Sequence, residues 1–163
     1  MFLPYIDSVV DQFAPVTAGN RATITVPLTQ SEDGDSEVLL EVRLWKGFYH
    51  GVPMHELKFL FIRLDRQVGS ADEVWCRYEA RNLIAPVRQW VMGTVCCAIR
   101  ALVAAVQPSV IYRATYLSQP EKNAMSKHEA ITGVLTSLGY PIRKSGTDPN
   151  GREFWVMIKS GDE

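Results

Sequence analysis

The sequence predicts an α+β domain: a mixed, mostly antiparallel sheet with a long central helix, a second crossover helix and a C-terminal hairpin. Three stretches carry that reading. "EVLLEVRLW" (Glu37 to Trp45) alternates apolar and polar residues as a half-covered strand does. An apolar run from Trp90 to Val106 lies between Pro86 and Pro108 and leads into "SVIYRATYL", a strand, helix and strand order typical of a parallel crossover. The closing "MSKHEAITGVLTSLGYPIRKSGTDPNGREFWVMIK" reads as a helix, a glycine stop and a hairpin.

Taken in order, Leu3 to Phe13 predicts an opening helix, with Ile6, Val9, Val10 and Phe13 on one side. "RATITVPL" (Arg21 to Leu28) has the β-branched content of a strand, and "TQSEDGDSE" is a polar turn. In the next strand Val38, Leu40, Val42 and Leu44 share one face, and Glu41, Arg43 and Trp45 the other. "LKFLFIRLD" (Leu57 to Asp65) is a more continuous strand, and "DEVWCRYEARNL" is expected as another, ending near Leu83. Pro86 stands where a helix loses no donor, and Pro108 stops the helix after Val106. Ser109 to Leu117 returns as a strand flanking that helix. In the last helix Ser126 and Glu129 form a capping box, and Ile131, Val134, Leu135 and Leu138 form the buried stripe.

At 163 residues, with no linker or repeat, the chain is expected to be a single domain, 1–163. A net charge of −1 gives no bulk attraction to nucleic acid or to an anionic membrane. The charge is uneven: seven basic and twelve acidic residues up to Glu79 give −5, and ten basic and six acidic from Arg81 onward give +4. Attraction between the halves of one fold accounts for that pattern. Cys76, Cys96 and Cys97 have no CxxC spacing and read as small buried hydrophobes, so three free thiols in a reducing compartment are expected. The N-terminus lacks the pattern of a secretion signal, and the Trp90–Val106 run carries Arg100. The expected location is therefore cytoplasmic, in a cell or an infected host cell.

The element order resembles the GNAT fold of acyl-CoA N-acyltransferases from about Arg21 to Lys159. The "LTSLGY" helix ending is similar to that family's leucine, glycine, aromatic exit, and "SKHEAI" and "GREFW" look like small GNAT-like proteins of bacteriophage genomes. The resemblance implies a glycine-rich turn opening the long helix, where backbone amides hold the cofactor pyrophosphate. It also implies a tyrosine as general acid in the later helix. "NLIAPVRQWVMG" has no glycine before Gly93, Pro86 removes one amide, and counting back from Gly139 puts Leu135 at the tyrosine position.

The functional expectation is accordingly a GNAT-like scaffold acting mainly as a binding or interaction protein, with degenerate or absent acyl transfer, no cofactor and a protein partner. The alternative is an acyl-CoA-dependent N-acetyltransferase with an unusual cofactor cradle. Acetyl-CoA would then contact Arg88, Gln89, Lys122 and Lys127, and Tyr112, Tyr116 or His128 would supply the proton. His128 otherwise reads as a solvated helix residue. "FYHGVPMHE" puts His50, His55 and Glu56 in a loop, but without metal-site spacing, so no metal is expected. Trp45, Trp75, Trp90 and Trp155 read as core, and an exposed one would mark a partner surface.

Overall fold

The structure is a computed structural model that describes residues 1–49, 51–74, 77–116 and 122–161, without the side chains of Arg77 and Lys122 to Ala124. His50, Trp75, Cys76, Leu117 and the side chain of Lys122 lie outside the described residues.

The fold is α+β. Among the described residues one nine-stranded, mostly antiparallel sheet is formed by β1 (Phe2–Pro4), β2 (Val16–Ala18), β3 (Arg21–Ser31), β4 (Ser36–Tyr49), β5 (Val52–Asp65), β6 (Ser70–Glu73), β7 (Val110–Ala114), β8 (Ile142–Thr147) and β9 (Glu153–Ile158). The strand order is β1-β3-β4-β5-β7-β9-β8, with β2 on β3 and β6 on β5. Its helices are α1 (Arg77–Leu83), α2 (Arg88–Val106) and α3 (Lys122–Ser137), with a single 3-10 turn, Ala85–Val87, leading into α2.

Alternation sorts the strand residues into two faces. Ile24, Val42 and Phe59 are directly opposite one another across β3, β4 and β5, as are Val26, Leu40 and Phe61. This face carries the core: Val38, Leu40, Val42 and Leu44 are buried under Val91, Val95, Ala98, Ile99 and Leu102 of α2. Ala85–Val106, the helix long and apolar enough to cross a membrane, thus supplies the protein interior. On α3, Ile131, Val134 and Leu135 are buried, with Leu138 packed beside them. Gly139 ends α3 at φ +89°, which lets Tyr140 donate its amide to Leu135 O at 3.0 Å.

Three expectations need correction. First, the opening helix is absent: Pro4 and its neighbours pair with β3, and residues 5–15 run without regular structure across α2. Ile6, Val10 and Phe13 still pack on the core, and the Val10 amide donates to Thr94 Oγ1 at 3.1 Å. An eleven-residue helix is marginal alone, and draping the segment buries the same side chains. Gly93 serves this approach, since a Cβ there would meet Val9 at 2.7 Å.

Second, the expected strand ending near Leu83 is β6 followed by α1. Glu79, Ala80 and Arg81 favour helix, and consecutive burial of Leu83 and Ile84 suits a helical turn better than alternation. The parallel partner of β7 across the long helix is therefore β5. Third, α3 starts at Lys122, so Ser126 lies inside the helix, in its second turn, rather than at its N-cap; Lys122, Ala124 and Met125 are good helix formers that extend the helix backwards. Every ion pair between described residues joins groups of the same half of the chain, as in Arg43–Glu73, Arg63–Glu79 and Arg152–Asp148, while Glu56 acts on Arg152 across the halves through its charge.

Candidate functional site: the opening between two parallel strands

β5 and β7 pair at only two positions, His55 with Ile111 and Glu56 with Tyr112. Farther along, β5 is bordered by β6, from Ile62 paired with Glu73, and by the Val74 amide donating to Phe61 O at 2.8 Å. Between these contacts, Leu57–Leu60 has no strand on the edge away from β4 among the described residues. β7 meanwhile stays paired with β9 along its whole length. The two parallel strands therefore diverge from a closed apex, and among the described residues no strand stands between them.

The apex is aromatic and charged on the face away from α2. Tyr49 donates its hydroxyl to Glu56 Oε2 at 2.5 Å, and Lys58 Nζ lies 3.0 Å from Glu56 Oε1. Tyr49 stacks on Tyr112 with ring centroids 4.7 Å apart, and Phe154 follows Tyr112 at 6.3 Å. Burial, then the bond to Glu56, raises the Tyr49 pKa; burial first raises that of Tyr112. Both phenols stay protonated near neutral pH. Glu56 has both oxygens engaged.

On the opposite face Arg113 is 2% exposed, with its guanidinium 4.5 Å from the centre of the Trp155 ring. It donates to His128 O at 3.0 Å and to Thr132 Oγ1, and its Nη1 lies 3.4 Å from His128 Nδ1. His128 in turn stacks on Trp155 at 5.1 Å. No carboxylate forms an ion pair with Arg113 among the described residues, and its Nε has no partner. Burial lowers its pKa to about 10. Burial first, then Arg113 and Lys127, lower His128 to about 4, so its ring is neutral at pH 7.

The structure therefore separates the proposed proton donors. Tyr112 and His128 are on opposite faces of the sheet and cannot serve one reacting atom. Tyr116 lies past the end of β7, 57% exposed, with its pKa raised by slight burial and by Glu73. His128 is partly buried and stacked, which corrects the expectation of a solvated residue. His55 and Glu56 are consecutive strand residues on opposite faces, so they cannot share a metal, and the described residues contain no metal-binding group. Arg88 and Gln89 are exposed at the start of α2, behind a 3-10 turn that contains Pro86 and the fully buried Val87. Lys127 is exposed on α3. Leu135, at the position of the expected tyrosine, is fully buried.

Sequence reading missed Tyr49, Arg113 and Trp155 as site components, and named Glu56 only beside His50 and His55. Arg113 had a visible signal: in "IYRAT" it occupies the same alternation phase as Ile111 and Thr115, both buried. The Tyr49–Tyr112 stack depends on a long-range pairing that no local pattern encodes. Trp45 is 47% exposed, whereas Trp90 and Trp155 pack on the core. No protein-family model matches this chain, and no curated protein does.

Proposed function

We propose that the chain is a cytoplasmic binding protein on a GNAT-like scaffold, without acyl transfer, and that its partner is another protein. One observation carries this reading: the position where the resemblance requires a proton donor holds Leu135, sealed in the core. The start of α2 adds support, because Pro86 and the buried Val87 replace the glycines that would let a pyrophosphate approach the amides. The surface for a protein is the sheet face away from α2, where Trp45 stands exposed beside Arg43 and Glu56.

Acyl-CoA-dependent N-acetyl transfer is the second reading, favoured by the divergence of β5 and β7. An extended, amide-bearing ligand could pair with the free edge of Leu57–Leu60. Tyr112 would then supply the proton at the apex, and Arg88, Gln89 and Lys127 would have to hold the phosphates. Exposed charges of that kind contribute about 1 kcal/mol or less each. Calorimetry with acetyl-CoA at physiological salt separates the readings. The binding-protein reading expects no saturable heat; micromolar binding lost in Arg88→Ala would establish the transferase reading instead.

A further inference from the structure

A small cavity lies where α2 finishes, beside His55 of β5. Its volume is about 100 Å³, and Ala22, Leu44 and Val106 supply apolar lining. Arg21, Lys46 and His55 are the charged or titratable residues of its lining, and no carboxylate residue lines it. The turn before β3 is fixed against β4 by two bonds: the Lys46 amide donates to Asn20 O at 2.8 Å, and Asn20 Nδ2 donates to Lys46 O at 3.1 Å. Arg21 and Lys46 make no ion pair among the described residues.

We propose that this cavity is a binding site for a small monocarboxylate with a short aliphatic tail. The tail would lie on Ala22, Leu44 and Val106, and the carboxylate would face Lys46, Arg21 and His55. Its size limits the class: about 100 Å³ is well below the roughly 300 Å³ at which ordinary small-molecule pockets begin, which suits a short acyl chain better than a nucleotide. The chemistry narrows it further. A phosphate has no apolar part to place on the Leu44 side, and burying its charge there is costly. A neutral alcohol leaves the cationic wall unanswered. Lys46 lies close enough to act on His55, which burial first and Lys46 second hold below the ordinary imidazole range. An anion between them reverses the second effect.

The site borders the apex of the opening between β5 and β7 through His55, which pairs with Ile111, but it does not require a ligand in that opening. The test is titration of the isotope-labelled full chain with sodium butyrate, butanol and butylammonium, followed by amide and His55 ring shifts. Butyrate should give saturable shifts around Ala22, Lys46 and His55, with a dissociation constant of roughly a millimolar, as suits so few heavy atoms. It should also raise the His55 pKa, which a passive apolar dent would not do. Lys46→Glu and Arg21→Glu, both at exposed positions, should keep the melting temperature and weaken butyrate at least about tenfold. Equal binding of butanol, drift without saturation, an unmoved His55 pKa, or full binding by Lys46→Glu would each overturn the proposal.

Discussion

The two faces of the sheet use the same strands for opposite purposes. On β4, Leu40, Val42 and Leu44 are sealed beneath α2, while the intervening Glu41, Arg43 and Trp45 face away from it. The neighbouring strand repeats the division: Leu57 is buried, and Glu56 and Lys58 hold an ion pair on the other side. Covering one face with helices provides the core. Leaving the other without a helix gives a surface where charges pair within the sheet, as Arg43 does with Glu41 and Glu73. Stability is thus concentrated on one face, and charged and aromatic side chains line the other. β7 shows the same division, with Tyr112 on the open face and Arg113 on the covered one.

The largest test of this contrast is a pair of truncations on adjacent strands. Leu40→Ala should cost about 2–5 kcal/mol, because it leaves a cavity in the sealed layer, and Leu135→Ala should cost a similar amount. Leu60→Ala, on the open face opposite Glu41, should cost less than about 1.5 kcal/mol, since its side chain is only partly removed from water. Urea denaturation of the three variants measures this. Equal losses at Leu40 and Leu60 would mean that both faces carry the core.

The next effect comes from Arg113, a cation that the covered face holds without a carboxylate among the described residues. His128 beside Arg113 has its pKa lowered to about 4 in the folded protein, against an ordinary value of 6.5. The unfolded chain therefore binds a proton as pH falls through that interval, and the folded chain does not. Stability contributed by neutral His128 is complete above pH 6.5 and is lost as pH falls towards 4, by about 2–3 kcal/mol. His128→Phe keeps a ring on Trp155 and should flatten the wild-type slope by that amount in denaturation series at stepped pH. An unchanged slope would mean that the charge of Arg113 is relieved elsewhere.

How much of this was legible follows from the range of each interaction. Alternation in "EVLLEVRLW" and the two prolines around α2 are local signals, and the strand and the long helix follow them. "MFLPYIDSVVDQF" carried helical spacing, yet pairing of β1 with β3 and packing over Gly93 decided its shape. Those partners are distant in sequence. The open face was legible as Glu41, Arg43 and Trp45 out of phase with the core, but the aromatic stack and the divergence of β5 from β7 were not. They depend on where separate strands stop pairing, which no single segment specifies.

A smaller effect is expected at Trp45. Replacing a buried tryptophan usually costs several kcal/mol, about 3–5 by truncation to alanine. Trp45 is 47% exposed on the helix-free face, so Trp45→Ser should change stability by no more than about 1 kcal/mol. A loss as large as that of Leu40→Ala would show that the face is packed against something in solution.

The smallest effect is expected at Ser126, and it sharpens the comparison from the covered side. A serine that caps a helix is worth about 0.5–2 kcal/mol, because its hydroxyl satisfies an amide that the helix leaves open. Here α3 already runs from Lys122, so by Ser126 the helix is established and the amides beyond it have carbonyl partners one turn back. Ser126 is also exposed, outside the stripe formed by Ile131, Val134 and Leu135. Alanine has the higher helix propensity at an exposed interior position, by a few tenths of a kcal/mol. Ser126→Ala should therefore leave stability unchanged within about 0.5 kcal/mol, or raise it slightly, in a urea titration. A loss of about 1 kcal/mol or more would put the start of α3 at Ser126 in solution. The turn holding Lys122 would then be frayed, and the covered face would be shorter at that end.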